Sequence, residues 1–298
     1  MKKSTKIFMW TIGIVLALGI LMIVIIIMSG GGAEEGEYDL SGSGQRIAVV
    51  NITGTILSSR ETVSTLKSLA ESPNVSAILL RVDSPGGGVA ASQEIYEEIK
   101  SIRDSGKPIV VSMGALAASG GYYVSCGASR IVANPGTVTG SIGVIATFPN
   151  FTKLMEKVGL QMNVVKSGEY KDAGSPFRPA TKEDEEIFQN VVDDTYSQFL
   201  NVVSSERKLP LEKLRKFADG RVFTGVQALK LGLVDTLGSY EDAVNVAAKL
   251  AGVKGKPVVV EAHRQRTLAD LIFGDLFSNL HFFEKDFIEQ PILQYKMN

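Results

Sequence analysis

One cysteine and two histidines among 298 residues exclude several classes of protein at the outset. Cys126 has no second cysteine to bond, so no intramolecular disulfide can form, although an exported domain could use one. It falls in "YYVSCGAS" and reads as a packed core thiol. So few soft ligands cannot build a His/Cys metal cluster, and neither a metal nor any other cofactor is expected. Both histidines, His263 and His281, lie in the C-terminal tail, beyond the strands and helices assigned below. A Ser-His-Asp triad is therefore not expected. Charge is equally sparing, with 31 Lys+Arg against 32 Asp+Glu and a net −1. That balance leaves no basic field for nucleic acid, which is not an expected partner.

Apolar side chains are plentiful, at 45% of residues. Part of that share sits in "IFMWTIGIVLALGILMIVIIIM", residues 7–28, a run without a single charge. At ~1.5 Å per residue the run reaches about 33 Å, close to the ~30 Å hydrocarbon core of a bilayer. It is longer than the apolar part of a typical signal peptide, and "SGGGAEEGEYD" after it offers no clear small-x-small cleavage site. The expectation is a transmembrane anchor. Lys2, Lys3 and Lys6 precede it, while Glu34, Glu35 and Glu37 follow. Residues 1–6 should then stay in the cytoplasm, with everything after the anchor exported and tethered to the cell membrane. Residues 29–45 are rich in Gly, Ser and Glu and read as a flexible linker.

The folded part begins near Arg46. "RIAVVNITGTI" reads as a strand, and "RETVSTLKSLAES" spaces Val63, Leu66 and Leu69 as a helix does. "SAILLRVDSP" is a near-continuous apolar run, as in a strand buried on both faces. "VAASQEIYEEIKSIRDSG" is an amphipathic helix ended by Gly106. "KPIVVSM" reads as a strand and "GALAASGGYYVSCGAS" as the helix after it; "RIVANPG" and "SIGVI" read as further strands. This alternation predicts an α/β fold with a largely parallel sheet. From Thr181 the pattern turns helical. A capping box, Thr181 with Asp184, opens a long helix with Ile187, Val191, Phe199 and Val203 on one face. Shorter helices near Pro210–Ala218 and Tyr240–Ala251 complete this lobe. The tail, residues 263–298, carries "LADLIFGDLFSNLHFF", an apolar surface suited to a neighbouring subunit, the membrane surface or its own domain.

Two motifs carry chemistry. In "RVDSPGGGV" the glycines between a strand and a helix let backbone N–H groups approach a ligand closely. The spacing fits neither common phosphate loop, which leaves a tight turn or a cradle for an oxyanion. In "GALAASGGYY", Ser119 stands among residues too small to crowd it. It is either an N-cap or a nucleophile beside the Gly120 amide, whose N–H has no partner in a first helical turn. A serine needs a base to take its proton. With no histidine in the core, a lysine remains possible if its proton is loosened, and "VVKSGEYKDAGSPF" offers Lys166 and Lys171. A lysine base must be unprotonated near neutral pH, some three units below its ordinary ~10.4. Burial favours that state and a nearby carboxylate opposes it, so Glu169 and Asp172 should point elsewhere.

"SPGGG", "ALAASGGYY", "TVTGSIGV", "KSGEYKDAGSP" and "ADGRVFTGVQALKLGLVD", in that order, resemble the signal peptide peptidase A family of membrane-bound serine proteases from about Arg46 to Ala251. The resemblance implies a ClpP/crotonase-like fold with an added helical lobe over residues 46–262, behind one N-terminal transmembrane helix. It implies a Ser/Lys dyad, with Ser119 as nucleophile and Lys171 as general base. Ser141 would orient the lysine, and the N–H groups of Gly86 and Gly120 would form the oxyanion hole. The chain matches the family's short form, which implies a ring-like homo-oligomer, an octamer, with serine and lysine from adjacent protomers. In short forms the extreme C-terminus can enter the protease's own groove.

The resulting expectation is a membrane-anchored, extracytoplasmic endopeptidase that degrades hydrophobic signal-peptide remnants. The alternatives are another Ser/Lys membrane protease that cuts a membrane scaffold protein, or a non-catalytic ring that binds hydrophobic peptides. A crotonase-like acyl-CoA enzyme fits the fold but not an exported site.

Overall fold

The computed structural model describes residues 45–262 and 293–297, with Trp10 and Gly13 from the N-terminal region. The expected anchor (7–28), nearly all of the linker (29–45), both histidines and most of the tail lie outside the described residues. Among those described, no helix is long and apolar enough to cross a membrane.

A parallel sheet forms the centre. Its strands are β1 (Arg46–Thr53), β2 (Val75–Ser84), β4 (Ile109–Ala118), β5 (Arg130–Ala133), β9 (Thr236–Leu237) and β10 (Val258–Glu261), in the order β10-β1-β2-β4-β5-β9. The apolar runs of β1 and β2 are continuous because both faces are covered. Ala48, Val50, Ile78, Leu80 and Val82 point into the larger core, with α1 (Arg60–Glu71), α2 (Val89–Asp104) and α3 (Gly120–Ser125). Their neighbours Ile47, Val49, Ala77 and Leu79 point the other way. There Ala243, Val244, Ala247 and Ala248 of α8 (Tyr240–Leu250) cover them. The two-residue period of a strand divides the run between two cores.

The long C-terminal helix, α5 (Lys182–Arg207), starts at the expected capping box, Thr181 with Asp184. Its second half packs inward through Phe199, Leu200 and Val203, whereas Val191 is exposed, so the expected apolar face is covered only toward the C-terminal end. Arg207 pairs with Asp235 and donates to the Gly232 carbonyl, which ties the helix end to the turn before β9. The helix expected near Pro210–Ala218 is the shorter α6 (Leu211–Arg215).

Two segments differ from the sequence reading. Gly114–Ala118, expected as helix, continues β4, and the helix begins only at Gly120. The cause is a register shift: Val82 pairs with Met113 but Ser84 pairs with Ala117, so β4 bulges between them. Asp83 stabilises the bulge by accepting from the Ala115 and Leu116 N–H groups at 3.4 and 3.1 Å. A Cβ on Gly114 would lie 2.5 Å from Asp83 Oδ2, so a side chain there would displace this carboxylate. "SIGVI" is not a strand as a whole. It spans the gap between β6 (Val138–Gly140) and β7 (Ile145–Ala146). β6 runs parallel to the end of β4 and antiparallel to β8 (Val222–Thr224), which α7 (Gly225–Leu231) follows. A short helix, α4 (Thr152–Val158), comes after β7.

A small second sheet stands apart. The three glycines that looked like a loop form β3 (Gly86–Gly88). The C-terminal strand β11 (Leu293–Lys296) lies antiparallel between β3 and β7.

Candidate active site

Ser119 directly follows β4 and Ser141 directly follows β6. These strands pair in register through Ala118 and Gly140, so the two serines leave neighbouring strand ends together. The Ser119 N–H donates to the Gly140 carbonyl at 2.8 Å. Both serines take positive φ, 53° and 50°, where a side chain is strained. Strain of this kind is kept where the surroundings dictate it, and it collects at functional sites.

Ser119 stands at the N-cap position of α3 but does not cap it. Its side chain makes no capping hydrogen bond to α3. Its Oγ is buried and has no hydrogen-bond partner among the described residues. A buried hydroxyl without a partner is costly, so Ser119 is not explained as a structural serine. Small neighbours keep the ground around it open. A Cβ on Gly120 would stand 2.7 Å from Ser92 Oγ, and one on Gly121 would stand 2.9 Å from the Ser84 carbonyl.

The glycine strand faces two ways. On one side Ile56 binds it: the Ile56 N–H donates to the Gly86 carbonyl at 2.9 Å, and the Gly88 N–H donates to the Ile56 carbonyl at 2.8 Å. Strand geometry then turns the N–H and carbonyl of Gly87 to the opposite side. That side holds β11, with Tyr295 paired to Gly87 and the Met297 N–H donating to the Pro85 carbonyl at 2.9 Å. The sequence reading assigned Gly86 to the oxyanion hole. The structure corrects this, because the Gly86 N–H donates to Ser84 Oγ at 3.1 Å, and Ser84 in turn donates to the Gly54 carbonyl. Gly86 has a different duty. A Cβ there would lie 1.9 Å from the Tyr295 carbonyl oxygen and 2.6 Å from the Gly120 nitrogen. The Tyr295 carbonyl oxygen occupies the space that this missing side chain leaves, and a Cβ on Gly120 would stand 3.0 Å from the same oxygen. As the first residue of α3, Gly120 has an N–H with no acceptor inside the helix.

The Tyr295 side chain is fully buried. Its ring stacks on Tyr123, with centroids 5.0 Å apart, and tilts against Phe199 at 4.7 Å. Its hydroxyl donates to the Thr195 carbonyl at 3.2 Å. Burial pushes the phenol well above its ordinary pKa, so it stays a donor. The chain thus holds its own segment in extended form between two strands, with one carbonyl against Gly86 and Gly120 and one side chain in an aromatic pocket. Such an arrangement can polarise a carbonyl and present it to a hydroxyl.

Lys171 and Ser119 are not brought together within one chain. Lys171 lies on an exposed turn, its N–H donating to the Gly168 carbonyl at 3.2 Å, while Ser119 Oγ has no hydrogen-bond partner among the described residues. Lys166 is bound to the Glu169 carbonyl at 2.7 Å and to Asp172 at 2.8 Å. Asp172 also accepts from Arg178 at 3.1 Å, and the two cations hold its carboxyl below the usual range, Arg178 first. The carboxylate next to Lys171 in sequence is therefore engaged by other cations. Sequence reasoning missed Gly87 and Tyr295. "SPGGG" marks the loop, but only the pairing to Ile56 decides which amide faces the cleft.

A buried serine at the end of a parallel strand, beside a glycine cradle that holds an extended peptide, defines a serine peptidase with a Clp-like α/β architecture. The model of the Clp protease family matches residues 38–136, and that of peptidase family S49 matches residues 101–254; both spans include Ser119. A protein named as a protease in Synechocystis is 48% identical over 210 residues, 70% of this chain and 76% of that one. Protease 4 of Haemophilus influenzae is 40% identical over 214 residues, 69% of this chain but 35% of the relative. A protein named signal peptide peptidase SppA in Enterococcus faecium is 41% identical over 184 residues, 62% of this chain and 54% of that one. The chain belongs to peptidase family S49, the signal peptide peptidase A type of serine protease.

Proposed function

We propose that this protein is a membrane-anchored, extracytoplasmic endopeptidase that degrades hydrophobic peptides, including signal-peptide remnants, through a dyad of Ser119 and Lys171. The observation that carries the reading is the seating of β11, with the Tyr295 carbonyl against Gly86 and Gly120, the residue after Ser119, whose buried hydroxyl has no hydrogen-bond partner among the described residues.

In this mechanism Lys171, unprotonated, accepts the proton of Ser119 as Oγ bonds to the substrate carbonyl carbon. The N–H groups of Gly87 and Gly120 hold the oxyanion, an effect commonly worth about 3–4 kcal/mol per donor. The intermediate collapses, the C–N bond breaks, and Lys171 returns the proton to the leaving amine. Water then attacks the acyl-enzyme, giving its proton to Lys171, and the carboxyl product leaves with Ser119 restored. Ser141 accepts or donates a hydrogen bond at the amine and fixes its direction.

Lys171 comes from a neighbouring copy in a ring-like homo-oligomer, an octamer by family resemblance. The exposed apolar side chains of Phe151, Leu154, Leu160, Met162 and Val164, on the segment that leads to Lys171, support this. A surface of that kind favours a protein partner over water, and covering it would carry Lys171 to the next subunit. Signal-peptide specificity draws support from the name of the Enterococcus relative.

Complementation tests the dyad. Ser119→Ala and Lys171→Ala should each lose peptide hydrolysis by about 10³-fold or more. Co-assembled in equal amounts, they should recover about a quarter of wild-type activity, because one junction in four joins an intact serine to an intact lysine. Full activity in Lys171→Ala alone would refute the dyad; no recovery on mixing would refute its assembly between subunits.

A further inference from the structure

We infer that Arg178 is a positioning residue for the proposed base: by pairing with Asp172 and Asp184 it braces the turn that carries Lys171 and cancels the carboxylate charge beside that amine. The inference rests on the proposed role of Lys171, and it adds a residue that acts through the lysine without touching substrate.

Lys171 stands where the chain has little to fix it. From the end of α4 at Val158 to the start of α5 at Lys182 there is neither helix nor strand. The turn closes on itself through local bonds: the Lys171, Ala173 and Ser175 N–H groups donate to the carbonyls of Gly168, Tyr170 and Asp172 at 3.2, 3.1 and 3.0 Å. Arg178 ties this turn to the helix. Its guanidinium donates to Asp172 Oδ1 at 3.1 Å and to Asp184 Oδ1 at 3.0 Å, with a further bond to Asp184 Oδ2. Asp184 is buried in the first turn of α5 and also accepts from the Thr181 N–H at 3.0 Å. A planar fork of donors suits a brace between two carboxylates.

The charges in this cluster balance. Lys166 and Arg178 stand against Asp172 and Asp184, and Lys166 meets Asp172 at 2.8 Å. Glu169 on the turn and Glu183 and Glu185 at the start of α5 are exposed to water. On the serine side, the Ser141 N–H donates to the Arg221 carbonyl at 2.9 Å, and Arg221 is itself paired with Asp219. The Asp172 and Arg178 side chains are only 14% and 26% exposed, so solvent screens them in part. A bare carboxylate near an amine favours its protonated form, and a bare cation favours the neutral form. Removing Arg178 leaves the cluster at −1, whereas neutralising Asp172 leaves it at +1. A partly screened unit charge on the neighbouring residue displaces a proton equilibrium by about half a pH unit.

The test uses the full-length protein, with kcat/KM for an apolar N-acylated peptide followed from about pH 6 to 10. Arg178→Gln should move the acidic limb of the profile up by about half a unit, and Asp172→Asn should move it down by a similar amount. The double variant should return the limb close to its wild-type position. The same displacements are expected in the rate at which a fluorophosphonate labels Ser119, which does not depend on how a peptide binds. A merely structural role lowers the plateau in both variants without moving their limbs in opposite directions. A limb that stays in place in both, or moves the same way in both, overturns the inference and leaves the proposed function standing. If Arg178→Gln does not fold, Asp172→Asn decides alone: a downward shift supports the inference, and an unmoved or raised limb overturns it. Full activity with an unaltered profile in Lys171→Ala would remove the dyad and the inference with it.

Discussion

At Ser119 the backbone takes φ 53° and ψ −115°, a conformation that any side chain resists. Strain of this type costs about 1–3 kcal/mol. Ser119→Ala keeps it and Ser119→Gly releases it. Allowing for the extra freedom glycine has when unfolded, the glycine variant should be the more stable by about 1 kcal/mol. Denaturant melts of the two inactive proteins provide the measurement. Cys126, the lone thiol, makes a second prediction. It is fully packed beside Tyr122, and burial pushes its pKa up to about 12. At pH 8 it should resist iodoacetamide in the native protein and react once the chain is unfolded. The small residues around Ser119 made it legible as a candidate nucleophile, with a helix cap as the alternative, in the sequence alone. The choice of Gly87 over Gly86 was not legible, because it depends on Ile56, which pairs with the glycines from far upstream.

Among elements, those with a pattern of their own were readable: β1 and β2 as strands, α2 as an amphipathic helix, α8 as a short helix and α5 by its capping box. The end of β4 was not. Gly114–Ala118 has the composition of a helix, and it is held extended by the Asp83 carboxylate on the adjacent strand and by pairing with β6. β11 was also hidden, since a short tail strand has no pattern until β3 and β7 offer it edges. The start of α5 depends on charge. Asp184 accepts from Arg178 and from the Thr181 N–H, and these bonds, Arg178 first, hold its carboxyl well below the usual range. The folded form therefore binds the proton less readily than the unfolded form. The stabilisation is complete above the ordinary carboxylate value of about 4 and is lost as pH falls below it. Amide exchange in the first turn of α5 should thus accelerate below about pH 4, and Asp184→Asn should remove most of that dependence while loosening the turn at neutral pH. A first turn equally protected in both proteins at pH 6 would contradict this account.

For the whole molecule, the governing fact is that residues 293–297 lie in the cleft of the unit they close. A tethered occupant competes at an effective concentration in the millimolar range. Deleting residues 290–298 should raise the rate of Ser119 labelling by a fluorophosphonate by about tenfold or more, and a synthetic peptide ending in the same residues should slow it again. Equal rates with and without the tail would mean that the strand does not shield the serine. There is a further consequence in the row of three glycines that receives this strand. With no side chain of its own, it grips the regular repeat that every extended polypeptide shares, whatever its spelling. A groove built on that grip can seat extended chains of unrelated composition.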